Sequence, residues 1–532
     1  MRAVNAFRTW SWYRTFVLVF GFAATFSLAP LASAQKDQDG VDVKTAQAKI
    51  KEFKKFFGNS NEYVRKAAVE DLGECNHALC AKPLLAALSD KSDEVRSVVI
   101  PALRKQATPA ASHFLNRELA KQRKVEAQIA IMEVFRVTRP KVAFSTILKI
   151  AGNKKFASRV VAAELLGLYP AEVKKSAGLL LEMLSDANPQ IRLIAIDALV
   201  KLQHTKLVDI CLGLFKTEKD WRVKASAIAA IPPFREKRTI EPLIRVFETE
   251  KGRLFDDTYR ALLEITGEAY RPRPTRWRKW WKNNQKHFKV PTLAEMTARR
   301  KKQKSSMAAY ASGATDKPPF HGINTKSKRM LFLLDVSFSM VDKVVMSTKD
   351  PRKAEAFKLR YGGYNTKVEL AREELIRYVA TLEPHVKFNI ILFSSVIKPW
   401  KSNLVSANSG NRNSALKMLS RITPDWIAAN TNAGHGGTNT FGALNLALGL
   451  KDKPQKKPSK NHKVEGDTVF FMTDGMPEIG LITDPNELVE YVLEVNKRAK
   501  IVFHTLTFDQ GNANFLKRIA DGTGGQYVVI GG

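Results

Sequence analysis

Five side chains carry the most chemistry in this sequence. Asp335-Val336-Ser337-Phe338-Ser339 supplies a carboxylate and two hydroxyls, Gly436-Gly437-Thr438-Asn439 a third hydroxyl, and Thr473-Asp474-Gly475 a second carboxylate. Two carboxylates and three hydroxyls, with neither His nor Cys, are hard oxygen donors that suit Mg²⁺ or Mn²⁺, and more loosely Ca²⁺, over zinc. Taken singly, each piece is ordinary, since Asp, Ser and Thr cap helices and Asp-Gly makes turns. Their conjunction, two of them directly behind apolar runs, is what points to one cation. An enzyme would also need a group to activate water, and His435 is the only histidine close in sequence to the set. Both aspartates are committed to the ion, so metal-assisted hydrolysis ranks below non-catalytic binding.

The elements that must position these groups are legible around them. Apolar runs at 330–334, 388–393, 469–472, 502–507 and 527–530 read as strands, the first as a buried one and the last as a short one. Amphipathic spacing predicts helices over 368–382, 444–450 and 488–495, the last entered through Thr483-Asp484-Pro485. Alternation of this kind predicts a doubly wound, Rossmann-like α/β domain with a mostly parallel sheet. Ligands of such sheets sit beyond the carboxyl ends of the strands, where the Asp335 and Asp474 loops fall.

With these residues in place, the chain from 328 to 532 resembles the von Willebrand factor type A family. That family's metal-ion-dependent adhesion site reads Asp-x-Ser-x-Ser, then Thr, then Asp, matched by Asp335, Ser337, Ser339, Thr438 and Asp474. The resemblance extends to the close Thr523-Gly524-Gly525-Gln526-Tyr527. It implies a Mg²⁺-type ion whose coordination is completed by a partner's Asp or Glu, with Phe338, Gly437 and Asn439 as the residues the partner meets. Two departures stand out. Phe338 replaces a commonly small residue, and the Lys- and Arg-rich stretch 341–365 is longer than usual, serving either as a specificity loop or as a tolerated surface insertion.

The other half repeats. A basic residue flanked by apolar ones recurs at helix starts: Arg65, Arg96, Arg159, Arg192 and Arg222, stepping by 31, 63, 33 and 30 residues. Helices at 82–88, 178–184 and 240–247 lie between these anchors. Short helix pairs cannot bury both faces alone, which predicts an all-α solenoid over 61–288 that serves as a scaffold. The pattern, including Asn188-Pro189-Gln190-Ile191-Arg192, resembles HEAT repeats. Trp277, Trp280 and Trp281 fall at i, i+3 and i+4 on one helix face; sealing the end of the array is favoured over a recognition patch. From 289 to 327 periodicity fades into a basic linker containing Arg299-Arg300-Lys301-Lys302.

A chain of 532 residues with 44% hydrophobic residues fills more than one core. Arg2, Arg8 and Arg14 precede and enter an apolar run that ends at Pro30 and Ala32-Ser33-Ala34, a secretory signal expected to be cut after Ala34. Residues 1–34 are thus set apart, 35–60 form a lead-in, and the product is expected to be secreted, periplasmic or at the cell surface, with no transmembrane segment. Three cysteines leave little for disulfides: Cys75 and Cys80 either pair or stand as buried thiols, and Cys211 reads as core. The formal charge of +34 stays strongly positive once three signal arginines are gone, so an anionic glycan, lipid headgroup or, less readily in an exported protein, nucleic acid is the competing partner.

Overall fold

The computed structural model describes residues 41–106, 108–268, 270–297, 320–344, 351–430, 437–450, 466–508 and 513–530. The expected signal, His435, Gly436, and the linker's Arg299 to Lys302 lie outside them.

From Val43 to Asn284 the chain is helical. Helix starts follow local capping chemistry. Asn61, Asn188 and Asp220 each accept a hydrogen bond from the backbone N–H two residues on, at 2.9 Å, and Pro189 occupies the first turn of its helix. A helix at Val43–Phe57, within the lead-in, packs Ala46 and Phe53 into the same apolar core as the repeats. Successive helices stack into one continuous core, as HEAT repeats must. Gly167 marks a close crossing: a Cβ there would lie 2.9 Å from the Ala198 Cα.

Three of the five anchor arginines tie one turn of the stack to the next. Arg65 meets Asp90 at 2.8 Å, Arg159 meets Asp186 at 2.6 Å, and Arg192 meets Glu218 at 2.7 Å, each acid lying in a later turn of the array. Arg65 and Arg192 also donate to carbonyls at the mouths of their own helices. At the far end the helix Pro274–Asn284 buries Trp277, Trp280 and Trp281 together, with Trp280 edge-on to Phe288 at 5.2 Å. The three indoles are core, as their spacing predicts. Cys75 and Cys80 are free thiols with sulfurs 3.3 Å apart, and Cys211 is a buried free thiol.

The second half is a seven-stranded sheet: β1 Arg329–Asp335, β2 Lys387–Phe393, β3 Ile397–Pro399, β4 Val405–Ser406, β5 Thr468–Met472, β6 Val502–Thr507 and β7 Tyr527–Val529. The order is β3-β2-β1-β5-β6-β7, with β4 also paired to β2. The β1, β2, β5, β6 and β7 pairings are parallel; β3 and β4 run antiparallel to β2. Those two short edge strands are absent from the sequence reading because they are too brief and too exposed to leave an apolar run. Met330, Phe332 and Leu334 feed one apolar layer while Leu331 and Leu333 feed the other, so β1 is covered on both faces. The helix expected over 444–450 runs from Thr440 to Ala447 and stops before Gly449, whose φ is +77°. Among the described residues no helix is long and apolar enough to cross a membrane.

The repeats dock on the amino ends of the strands. Arg253 donates to the carbonyls of Asp467 and Lys500, both at 3.0 Å, immediately ahead of β5 and β6. Asp256 accepts from the Lys326 N–H at 2.9 Å ahead of β1, and Arg260 donates to the Gly524 carbonyl. Beside them the helix Pro485–Ala499 lies on the repeats through Arg498 to Glu164 at 3.1 Å and Arg136 to Glu494 at 3.3 Å, followed by Lys500 to Asp197 at 2.9 Å.

Candidate metal centre

β1 and β5 are neighbours, and the sheet's connectivity turns away to opposite sides from them, which opens a crevice at their carboxyl ends. Asp335 is the last residue of β1, and Thr473-Asp474 directly follows β5. Both aspartates are buried, Asp335 fully. Asp335 accepts from Thr473 Oγ at 2.5 Å and from the Ser337 N–H at 2.8 Å. Ser337 Oγ lies 3.2 Å from Ser339 Oγ, which donates to Asp474 Oδ1 at 2.8 Å. One polar path therefore runs from the first carboxylate to the second.

Thr438 closes the set from the third loop. It is 2% exposed, and a Cβ built on Gly475 would stand 3.0 Å from Thr438 Oγ, so the hydroxyl packs tightly against the Asp474 turn. Backbone bonds from Glu478 and Ile479 to the Thr438 carbonyl, at 3.0 and 3.2 Å, tie the second and third loops together. The structure thus brings Asp335, Ser337, Ser339, Thr438 and Asp474 to one place.

The electrostatics fit a cation. Burial and then the Asp474 charge push the Asp335 carboxyl up to about 7. Two buried carboxylates that destabilise each other, surrounded by neutral hydroxyls, are a donor set that a divalent oxygen-loving ion would relieve. Among the described residues no group of three or more His, Cys, Asp or Glu side chains comes together, so this donor set rests on hydroxyls.

Comparison with known proteins agrees with the two halves. Residues 365–529 match the von Willebrand factor type A domain, and residues 50–136 and 176–262 match HEAT repeats. HEAT repeats lead here into a von Willebrand factor type A domain. Among curated relatives, mouse inter alpha-trypsin inhibitor heavy chain 4 is 30% identical over 38% of this chain, and its human counterpart is 28% identical over the same share. The pig inter-alpha-trypsin inhibitor heavy chain H1 is 24% identical over 31% of this chain. The chain spans less than a fifth of the length of these relatives, 18%, 18% and 14% respectively. The family match to the type A domain begins at 365, so Thr438 and Asp474 lie inside it while Asp335, Ser337 and Ser339 precede it.

Around the Asp335, Thr438 and Asp474 loops the type A domain departs from a bare cleft. Phe338 is 54% exposed at the rim, beside Ser337 and Ser339. A Cβ on Gly437 would stand 2.6 Å from Ile479 Cδ1, so the Ile479 side chain lies directly over this glycine. Asn439 spends its side-chain oxygen capping the Thr440–Ala447 helix, accepting from the Gly442 N–H at 2.9 Å. Within the long stretch 341–365, a helix at Pro351–Tyr361 returns Tyr361 to the core and pairs Arg360 with Glu374. The stretch is therefore docked on the Lys367–Ala380 helix through these residues.

One site residue escapes the sequence reading. Lys367 Nζ donates to Asp474 Oδ2 at 2.6 Å, and to Asp342 Oδ2 and the Ser339 carbonyl, both at 3.3 Å. Burial opposes its charge, and the Asp474 and Asp342 contacts together outweigh that and hold the ammonium above its ordinary range. The sequence held only a weak hint: Lys367 is the first residue of a helix, where the dipole disfavours a cation by about 0.3–1 kcal/mol, too little to demand a nearby acid.

Proposed function

We propose that this protein is an exported, non-catalytic binding protein. Its type A domain takes an acidic side chain of a protein partner through a Mg²⁺- or Mn²⁺-type ion, and the HEAT repeats act as its scaffold. The observation that carries this reading is the convergence of Asp335, Ser337, Ser339, Thr438 and Asp474 at the carboxyl ends of β1 and β5. These residues would hold the ion and supply mostly neutral oxygens, leaving it under-compensated and open to an anionic ligand. Docking of the repeats on the opposite ends of the strands supports it further. Asp467 and Asp474 stand at the two ends of β5, roughly 20 Å apart at the rise of a strand, so the scaffold docks away from the candidate metal face.

The domain limits follow from the same reading: a signal at 1–34, a lead-in at 35–60, repeats at 61–288, a basic linker at 289–327 and the type A domain at 328–532. The net charge of +34 supports one competing reading, a polyanion binder in which the ion is accessory. Chelator and salt separate the two. Partner capture from surface fractions is expected to vanish with EDTA and in Asp335→Ala, and to persist in moderate salt. Capture that ignores EDTA and fails in salt would replace this reading with the polyanion one.

A further inference from the structure

We infer that Lys367 is a built-in competitor of the metal ion, sharing the Asp474 carboxylate with it so that cation affinity is held down and the loaded site keeps a net positive charge. The inference rests on the cation reading above, and deepens it by assigning a residue outside the five oxygen donors.

The geometry is specific. The capping box of Thr366 and Glu369 fixes the start of the Lys367–Ala380 helix beside the metal loops. From that fixed point Lys367 reaches Asp474 Oδ2 at 2.6 Å while Ser339 Oγ holds Oδ1 of the same carboxylate at 2.8 Å. Its remaining contacts are the Ser339 carbonyl, part of the first metal loop, and Asp342. The Asp474 side chain is 1% exposed and that of Lys367 15%, so solvent screens this pair little. An ion held by Asp474 therefore shares its carboxylate with an ammonium that is already bound there. With both buried aspartates ionised and the exposed Asp342 left to solvent screening, two carboxylates and one ammonium put the buried floor of the site at minus one, and a divalent ion turns it to plus one. Without the lysine the same ion would only neutralise it. The lysine thus opposes the metal and favours an anion arriving afterwards, two effects of opposite sign that a packing role does not produce.

The test is calorimetric titration of the full chain with Mg²⁺ and, separately, Mn²⁺. Lys367→Met is expected to take up either ion about tenfold more tightly than the parent, the size set by removing one charge beside a divalent ion in a partly buried site. Lys367→Arg, which keeps the charge, stays within about threefold of the parent. Lys417→Met, an exposed lysine on the helix Ser409–Leu419, controls for net charge and leaves the affinity unchanged. Circular dichroism confirms folding, and Lys367→Gln takes the place of the methionine variant if that one does not fold. Tighter uptake by the uncharged variant supports the inference, including the case in which the parent binds too weakly to register. Equal or weaker uptake by a folded variant, with the parent binding one ion, overturns the role of Lys367 and leaves the cation site standing. No uptake by either folded protein overturns both.

Discussion

Glu164 in the repeats and Asp335 in the type A domain are both buried carboxylates, and their surroundings divide them. Burial would raise the Glu164 pKa, but Arg136, Arg498 and Lys497 overcome it and hold the group well below the usual carboxylate range. Asp335 has hydroxyls and another carboxylate for company and is pushed up to about 7. The scaffold's acid is neutralised by cations within the fold; the site's acid has no cation beside it and is held towards its neutral form until one arrives. That difference separates a structural ion cluster from a site prepared for something arriving from outside.

Four substitutions sharpen or break this comparison. The largest effect is expected at the end of the scaffold: Trp277→Ala removes a fully buried indole from the aromatic seal and should cost about 4 kcal/mol in denaturant unfolding. A loss below about 1 kcal/mol would mean the seal is not part of the cooperative core. Next, Glu164→Gln leaves Arg136, Arg498 and Lys497 without their shared acid and should cost about 3 kcal/mol, seen by calorimetry as earlier unfolding with the halves less coupled. Metal uptake should be unaffected. If uptake falls with it, scaffold and site are not separable in the way described.

The third expectation concerns pH. Burial pushes the Asp256 carboxyl up to about 6, where it receives the Lys326 N–H at the docking surface. A carboxyl whose folded pKa exceeds its unfolded value favours folding below about 4, and that contribution is lost as pH rises through 6. Asp256→Asn should therefore gain stability relative to the parent between pH 4 and 6, by up to about 3 kcal/mol. A pH-independent difference in melting would contradict this. The smallest effect belongs to the exposed rim: Phe338→Ser should change stability by less than about 0.5 kcal/mol while weakening partner capture. Unchanged capture would remove Phe338 from the partner surface.

The sequence revealed the parts of the fold that bury themselves on two faces. β1 and β5 appear as unbroken apolar runs, and β2 and β6 as runs interrupted by Asn389 and by His504 and Thr505, because both of their faces are covered. β3 and β4 leave no such trace, since two exposed residues and three half-buried ones have no pattern to show. In the repeats the arginine anchors were visible by their spacing, but their acids were not. Asp90, Asp186 and Glu218 sit 25 to 27 residues further on in turns, where acidic residues are ordinary. At the site, five oxygen donors followed from strand ends and loop composition. Lys367 did not, because a lysine on a helix usually faces water, and only the fold brings it to Asp474.

The account stands on those five donors acting together on one ion. Electron paramagnetic resonance of added Mn²⁺ counts that ion directly. One Mn²⁺ per folded chain is predicted, lost in Asp335→Ala and in Thr438→Val and retained in Glu164→Gln. A folded parent that takes up none, or uptake that survives Asp335→Ala, would contradict it.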